Sequence, residues 1–321
     1  MLLNGKNLIS TSLLAPHKEE RDEEEDLHLL VIGAGLCGLS AAISTRLSGP
    51  RVTLLERTPV LTELGAGLGL TPNATRLFHA WGVHDQLACM AAPPSTLSVR
   101  RYDGTLLLAH EERWQEKCLK RYGAPFWGMH RVDLQKVLAS RAEELGVVIK
   151  LSARVVGIDF SVPSVTLSTG EIITADIILG ADGLWSTSRD LFLGSPVPPI
   201  LTGDLAYRIV LNRDQIEDEE LREWVSNPTA NFWAGPHSHV AGYSVRRGEV
   251  YNLVLLCPDD LGDADVSRVE GDVEEMRKRF EGWDPILKRF LAQVKKVDKW
   301  RLMHLDALPA WKNPQGTFVM A

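Results

Sequence analysis

Three glycines at one spacing carry the first chemistry legible in this chain. In Gly33-Ala34-Gly35-Leu36-Cys37-Gly38, the first glycine permits a tight turn and the second lets backbone N–H groups approach a pyrophosphate. The third lets a following helix pack closely on the preceding strand. A helix opening at such a turn presents its N–H groups and positive dipole end to an anion. Further on stands Glu56, whose carboxylate can accept hydrogen bonds from ribose hydroxyls and would repel a 2′-phosphate. Glycine turns after strands are common, so the motif has weight only if the elements around it fit.

They do fit. Leu27 to Ile32 (LHLLVI) is the short apolar run of a strand buried on both faces, Leu36 to Leu47 has helical composition, and Arg51 to Leu55 (RVTLL) reads as a second strand ending at Glu56. This is the order of a dinucleotide-binding βαβ unit, which by itself does not choose between NAD and FAD. Gly65-Ala66-Gly67-Leu68-Gly69 then forms a loop before Thr71, an expected N-cap, with Pro72 at the first helical position and Gly82 closing the helix. Asn73-Ala74-Thr75 matches a glycosylation acceptor, discounted because no convincing signal peptide precedes it. His130-Arg131-Val132-Asp133-Leu134 opens a helix ending near Gly146, and composition alone favours reading Arg131 as a surface arginine. Short β-rich segments with a turn at Thr169-Gly170 lead into Gly180-Ala181-Asp182-Gly183. There N–H groups and a carboxylate can converge on a nucleotide, the bland alternative being a plain β-to-α turn.

The second half offers candidates for a substrate site. Leu205 to Val210 reads as a strand carrying Arg208, and Asn231 to Cys257 as two or three strands around an Arg247-Gly248 turn. His239 and Tyr243, four apart, point to the same side of a strand and could line one pocket wall. Either has side-chain chemistry a catalytic site could use, although a strand His or Tyr is more often a packed, hydrogen-bonded residue. The helical stretches Asp214 to Val225 and Asp272 to Val294 have charged, solvent-facing composition and are expected to be scaffold only.

The bulk properties limit the alternatives. At 321 residues, 45% hydrophobic and 24% charged, the chain can bury a large core, and a net charge of −7 with dispersed Lys and Arg argues against nucleic acid as a partner. Cys37, Cys89, Cys118 and Cys257 lie far apart with no C-x-x-C pair, which suits reduced thiols in a reducing compartment rather than disulfides or a metal site, and a cytoplasmic location. No apolar run is long enough to span a membrane. Residues 1–26, with the run Glu19 to Asp26 (EERDEEED), read as a disordered acidic tail.

Taken together, Gly33-x-Gly35-x-x-Gly38, Glu56, GAGLGLTPN from Gly65 to Asn73, His130-Arg131-x-Asp133-Leu134 and Gly180-Ala181-Asp182-Gly183-x-x-Ser186-x-x-Arg189 resemble the single-component FAD-dependent aromatic hydroxylases. Within them the similarity is greatest to the salicylate and 3-hydroxybenzoate hydroxylase group and its fungal secondary-metabolite relatives, and it runs from Leu27 to the C-terminus. The resemblance implies that Glu56 binds the adenosine ribose, Gly67 lies beside the flavin and Arg131 contacts the FAD phosphate or ribityl region. It also implies that Asp182 supports the pyrophosphate and the path of the nicotinamide donor, and that Arg208 faces flavin or substrate.

The expected fold is α/β, a Rossmann-like FAD-binding domain (27–90 and 129–195) interleaved with a β-rich substrate domain (91–128 and 196–305), with 306–321 returning to the first. The expected activity is hydroxylation of a small phenolic aromatic with FAD, NADH or NADPH, and O2, in secondary-metabolite biosynthesis. The alternatives are a flavin-dependent dehydrogenase or reductase and an inactive remnant. Thr317 to Ala321 reads as the start of a buried strand, which in the resembled family runs into a Gly-Asp motif. The 321-residue chain is therefore expected to be truncated, to bind FAD weakly and to have little hydroxylase activity.

Overall fold

The computed structural model describes residues 27–61, 66–262 and 266–321. The reading of residues 1–26 as a tail, and Gly65 of the second glycine loop, lie outside the described residues. The chain begins with β1 (His28–Ile32), α1 (Leu36–Leu47), β2 (Arg51–Leu55), β3 (Gly67–Leu70), α2 (Pro72–Trp81) and α3 (His84–Ala88). Next come β4 (Leu97–Arg101), β5 (Leu107–Glu111), α4 (Trp114–Tyr122), β6 (Trp127–His130), α5 (Arg131–Glu144) and β7 (Val148–Lys150). β8 (Val155–Asp159), β9 (Ser164–Leu167), β10 (Ile172–Thr174) and β11 (Ile177–Gly180) lead to α6 (Thr187–Leu193). After these follow β12 (Ile200–Asn212), α7 (Glu219–Ser226), β13 (Ala230–Gly235), β14 (Ser238–Val245), β15 (Val250–Pro258) and β16 (Arg268–Gly271). The last are α8 (Val273–Arg279), α9 (Pro285–Ala292), β17 (Val297–His304) and β18 (Phe318–Met320).

The first sheet is parallel throughout, in the order β18-β11-β1-β2-β7. Its centre is buried on both faces: Val31 enters one core with Leu39 and Ile43 of α1, while Leu30 and Ile32 enter another with Phe318 and Ile178. That is why β1 shows no polar alternation. The strands β8, β9 and β10 form a small antiparallel sheet beside it.

The second large sheet has eight strands, ordered β16-β17-β12-β15-β14-β13-β4-β5, antiparallel except where β13 meets β4. Alternation along its strands puts Tyr207, Tyr251, Leu253, Leu255 and Trp233 into a core with Leu221, Met276, Phe280, Leu287 and Phe290. Here the sequence expectation for the two later helical stretches needs correction. They are not solvent-facing throughout, because one side of each is apolar and covers this sheet. The second stretch is also two helices, since Asp284 caps α9 through Ile286 N–H at 2.9 Å, with Pro285 at its first position. The same buried carboxylate accepts the Trp233 indole N–H at 2.7 Å, so the helix break is pinned to the sheet.

The uncovered face of the eight-stranded sheet meets the parallel-sheet half through the two-stranded pair β3 and β6. Gly128 of β6 passes so close to β14 that a Cβ there would lie 2.3 Å from the Ser244 carbonyl oxygen. Arg246, after β14, reaches back to Asp133 with bonds of 2.8 and 2.9 Å.

Candidate functional site

The glycine turn between β1 and α1 behaves as its spacing predicts, with a different job for each residue. Gly33 has φ +108° and a Cβ there would sit 2.5 Å from the Ala181 carbonyl oxygen, so the turn is pressed against the end of β11. At Gly38 a Cβ would lie 1.9 Å from the Gly33 carbonyl oxygen and 3.2 Å from Val31 Cγ1 of β1, so glycine there lets the helix meet both the turn and the strand. Around Gly35 nothing lies within 4 Å of a built Cβ. Its missing side chain leaves room that the protein does not fill.

That room belongs to an open cleft of about 300 Å³ lined by Gly33, Gly35, Glu56, Arg131, Gln135 and Asp182, among others. Both oxygens of Glu56 are held: Oε2 accepts the Ala34 N–H at 3.0 Å, and Oε1 the Thr58 N–H and hydroxyl at 2.9 and 3.0 Å. The carboxylate is thus fixed at the rim with one acceptor position, on Oε2, still open. Asp182 is engaged differently. Its Oδ2 accepts the Ser188 N–H and hydroxyl, both at 2.9 Å, and its Oδ1 accepts the Ser186 hydroxyl. It shapes the turn into α6, whose N-cap is Ser186. Arg189, of the same motif, is 2% exposed and bonds the Leu184 and Val197 carbonyls, which makes it a brace for that turn.

Sequence reasoning missed Gln135. It is one helical turn after Arg131, 4% exposed, and donates to the Ala34 carbonyl at 3.0 Å, while its own Oε1 has no hydrogen-bond partner. An orphaned buried acceptor at the cleft, beside the space left by Gly35, is what a site for a hydroxyl-bearing nucleotide needs. The i, i+4 spacing from Arg131 was the available signal. Arg57, Arg154 and Trp185 also line the cleft and carried no such signal. The glycines, Glu56, Gln135 and Arg131 therefore fit FAD.

At the junction, Gly67 donates its N–H to Asn252 Oδ1 at 2.7 Å, and a Cβ on it would meet Asn252 and Tyr243 within 2.8 Å. Gly67 is thus wedged between the halves. Arg131 donates its backbone N–H to Ala66 at 3.0 Å. Arg208 lies within electrostatic reach of both Arg131 and Tyr243. Burial, reinforced by Arg131, holds its guanidinium below the ordinary arginine value. Among the described residues Arg208 has neither a hydrogen-bond acceptor nor an ion-pair partner; its guanidinium rests 4.8 Å from the centre of the Trp300 ring. Burial pushes the Tyr243 phenol up to about 12, against the opposing pull of Arg208.

The strand register shows how the three substrate-side candidates relate. Ala206, Leu256 and His239 form one row across β12, β15 and β14; Arg208, Val254 and Ala241 the next; Val210, Asn252 and Tyr243 the third. All three candidates share the uncovered face. Tyr243 meets Gly67 and Arg208, whereas His239 is exposed, towards the end of the sheet with Asp204 and Pro258.

A parallel glycine-turn half with an open cleft, joined to a mostly antiparallel eight-stranded sheet, defines a dinucleotide-binding protein with a second, β-rich domain. The FAD binding domain family matches residues 26–243. The chain belongs to that family and to its FAD-dependent monooxygenases. It is 53% identical over 300 residues to the FAD-dependent monooxygenase OpS4 of Beauveria bassiana (strain ARSEF 2860), covering 92% of this chain and 70% of that protein. It is 31% identical to the 3-hydroxybenzoate 6-hydroxylase of Polaromonas naphthalenivorans (strain CJ2), covering 93% of this chain and 73% of that one. In fold it matches the crystal structure of CtdE in complex with FAD and a substrate, with TM-score 0.80 at 20% identity over 92% of this chain and 73% of the other. No described helix is long and apolar enough to cross a membrane.

Proposed function

We propose that this FAD-dependent monooxygenase hydroxylates a small aromatic compound carrying both a phenol and an anionic group, using NADH or NADPH and O2, in fungal secondary metabolism. The observation that carries the substrate class is Arg208: a half-buried guanidinium on the substrate sheet, beside the flavin cleft, with no acceptor among the described residues. Such a charge is costly unless a ligand supplies the anion. The names of the relatives support the reading, since 3-hydroxybenzoate and 6-hydroxynicotinate are both hydroxylated aromatic acids.

The residues divide the work. Glu56 accepts the ribose hydroxyls, the open side of Gly35 admits the pyrophosphate, and Arg131 and Gln135 hold the remainder of FAD from α5. FAD, when bound, supplies the redox step between NAD(P)H and O2 from which one oxygen atom enters the ring. Arg208 fixes the substrate anion. Tyr243, with its phenol raised to about 12 by burial, is neutral at physiological pH and orients the substrate hydroxyl as a hydrogen-bond partner. It is a poor proton acceptor at that pH, so its part is to orient the hydroxyl rather than to take its proton.

The test uses FAD-loaded protein with 3-hydroxybenzoate, NADH or NADPH, and oxygen-18 gas. The expected result is one labelled atom in the product ring, with Arg208→Ala reducing kcat/KM by roughly 10- to 100-fold while flavin stays bound. NAD(P)H-dependent conversion of the acid to a product without label would establish a dehydrogenase or reductase instead.

A further inference from the structure

Arg208 faces an acid that does not pair with it. On the neighbouring strand β17 its register partner is Asp298, and side chains directly opposite on antiparallel strands have Cβ atoms about 5 Å apart. An Arg–Asp pair in that position would ordinarily close. Instead Asp298 Oδ2 accepts a bond from Arg268 Nη2 at 2.8 Å, diagonally across from β16. Glu270 lies directly opposite Asp298 on that side, and its carboxylate is 3.4 Å from Lys296 Nζ. Trp300, two residues along β17 and on the same face, carries both guanidinium groups against its ring, Arg208 at 4.8 Å and Arg268 at 4.9 Å.

We infer that Arg268 is a positioning residue for the substrate site: it occupies Asp298, so that the charge on Arg208 stays available for an anion. Trp300 holds the two arginines apart and gives Arg208 a resting place that does not use its N–H donors. Without Arg268, Asp298 would face the like charge of Glu270 on one side and the guanidinium of Arg208 on the other, and it would turn to Arg208. The arrangement makes affinity for an anionic substrate depend on a side chain that need not touch it. The substrate consequence rests on the proposed function, whereas the division of charge does not.

The experiment reads Arg208 directly. Phenylglyoxal, which modifies guanidinium groups, is applied to FAD-loaded protein, and the rate at Arg208 is followed by peptide mapping. Arg268→Gln should slow modification of Arg208 by about two- to fivefold, the worth of a partly exposed ion pair. Arg268→Gln combined with Asp298→Asn should return the rate to that of the parent. Both substitutions fall on side chains about 40% exposed, which leaves the core intact. An unchanged rate in Arg268→Gln overturns the inference, and so does a slowing that persists in the double variant. Calorimetric titration with 3-hydroxybenzoate should follow the same pattern, weaker in the single variant and restored in the double. If Arg208→Gln leaves that affinity unchanged, the substrate reading fails, while the modification rates still decide the charge division.

Discussion

Gly35 separates folding from binding more cleanly than any other residue of the glycine turn. Gly33 and Gly38 are required by the protein itself, because a Cβ at either would collide with backbone. Gly35 has negative φ as the cap of α1 and open space around it, so the protein alone does not need glycine there. Gly35→Val is therefore expected to fold normally and to lose FAD, because the side chain would stand where the pyrophosphate approaches. Circular dichroism and bound-flavin absorbance check the two halves of this statement separately. A variant that keeps flavin at parental occupancy would show that the turn serves another purpose.

At the scale of elements, Asp133 is the tie between α5 and the turn that follows β14. Its side chain is 17% exposed, and the Arg246 fork holds its carboxyl below the usual carboxylate range. The folded pKa is thus below the unfolded value of about 3.9. The stabilisation is complete above that value and is lost as pH falls through the folded one. Asp133→Asn is expected to cost about 1 to 2 kcal/mol at neutral pH, discounted for the partial exposure of Arg246. The deficit relative to the parent should shrink below about pH 4. Urea denaturation at pH 7 and at pH 3.5 measures both, and a deficit independent of pH would mean that packing rather than charge is at stake.

At the scale of the whole molecule, the site exists only because two sheets approach closely along β3 and β6. Gly128 sets that approach: the Ser244 carbonyl oxygen occupies the place a Cβ would take, and backbone cannot rotate away as a side chain can. Gly128→Ala is expected to push the halves apart, costing about 1 to 3 kcal/mol and shifting Gly67 relative to Tyr243 and Asn252. Thermal unfolding should report the first effect and weaker 3-hydroxybenzoate binding the second. Unchanged values for both would show that the junction yields without consequence.

The dinucleotide half was legible because its signals are local. A strand without alternation, glycines at fixed spacing and an acid at the end of the next strand lie within one short stretch, and the observed β1, α1 and β2 follow the residues expected of them. Glu56 and the glycine cleft could be found for the same reason. The helices over the second sheet could not be read correctly, because charged residues dominate their composition while burial of Leu221, Met276 and Phe290 depends on a sheet assembled from distant strands. Gln135 left only a faint trace in its spacing from Arg131. The partnership of Arg208 with Trp300, and the diversion of Asp298 to Arg268, left none. They arise from register between β12, β17 and β16, and register is settled by which strands pair and in what alignment, a property no single segment carries.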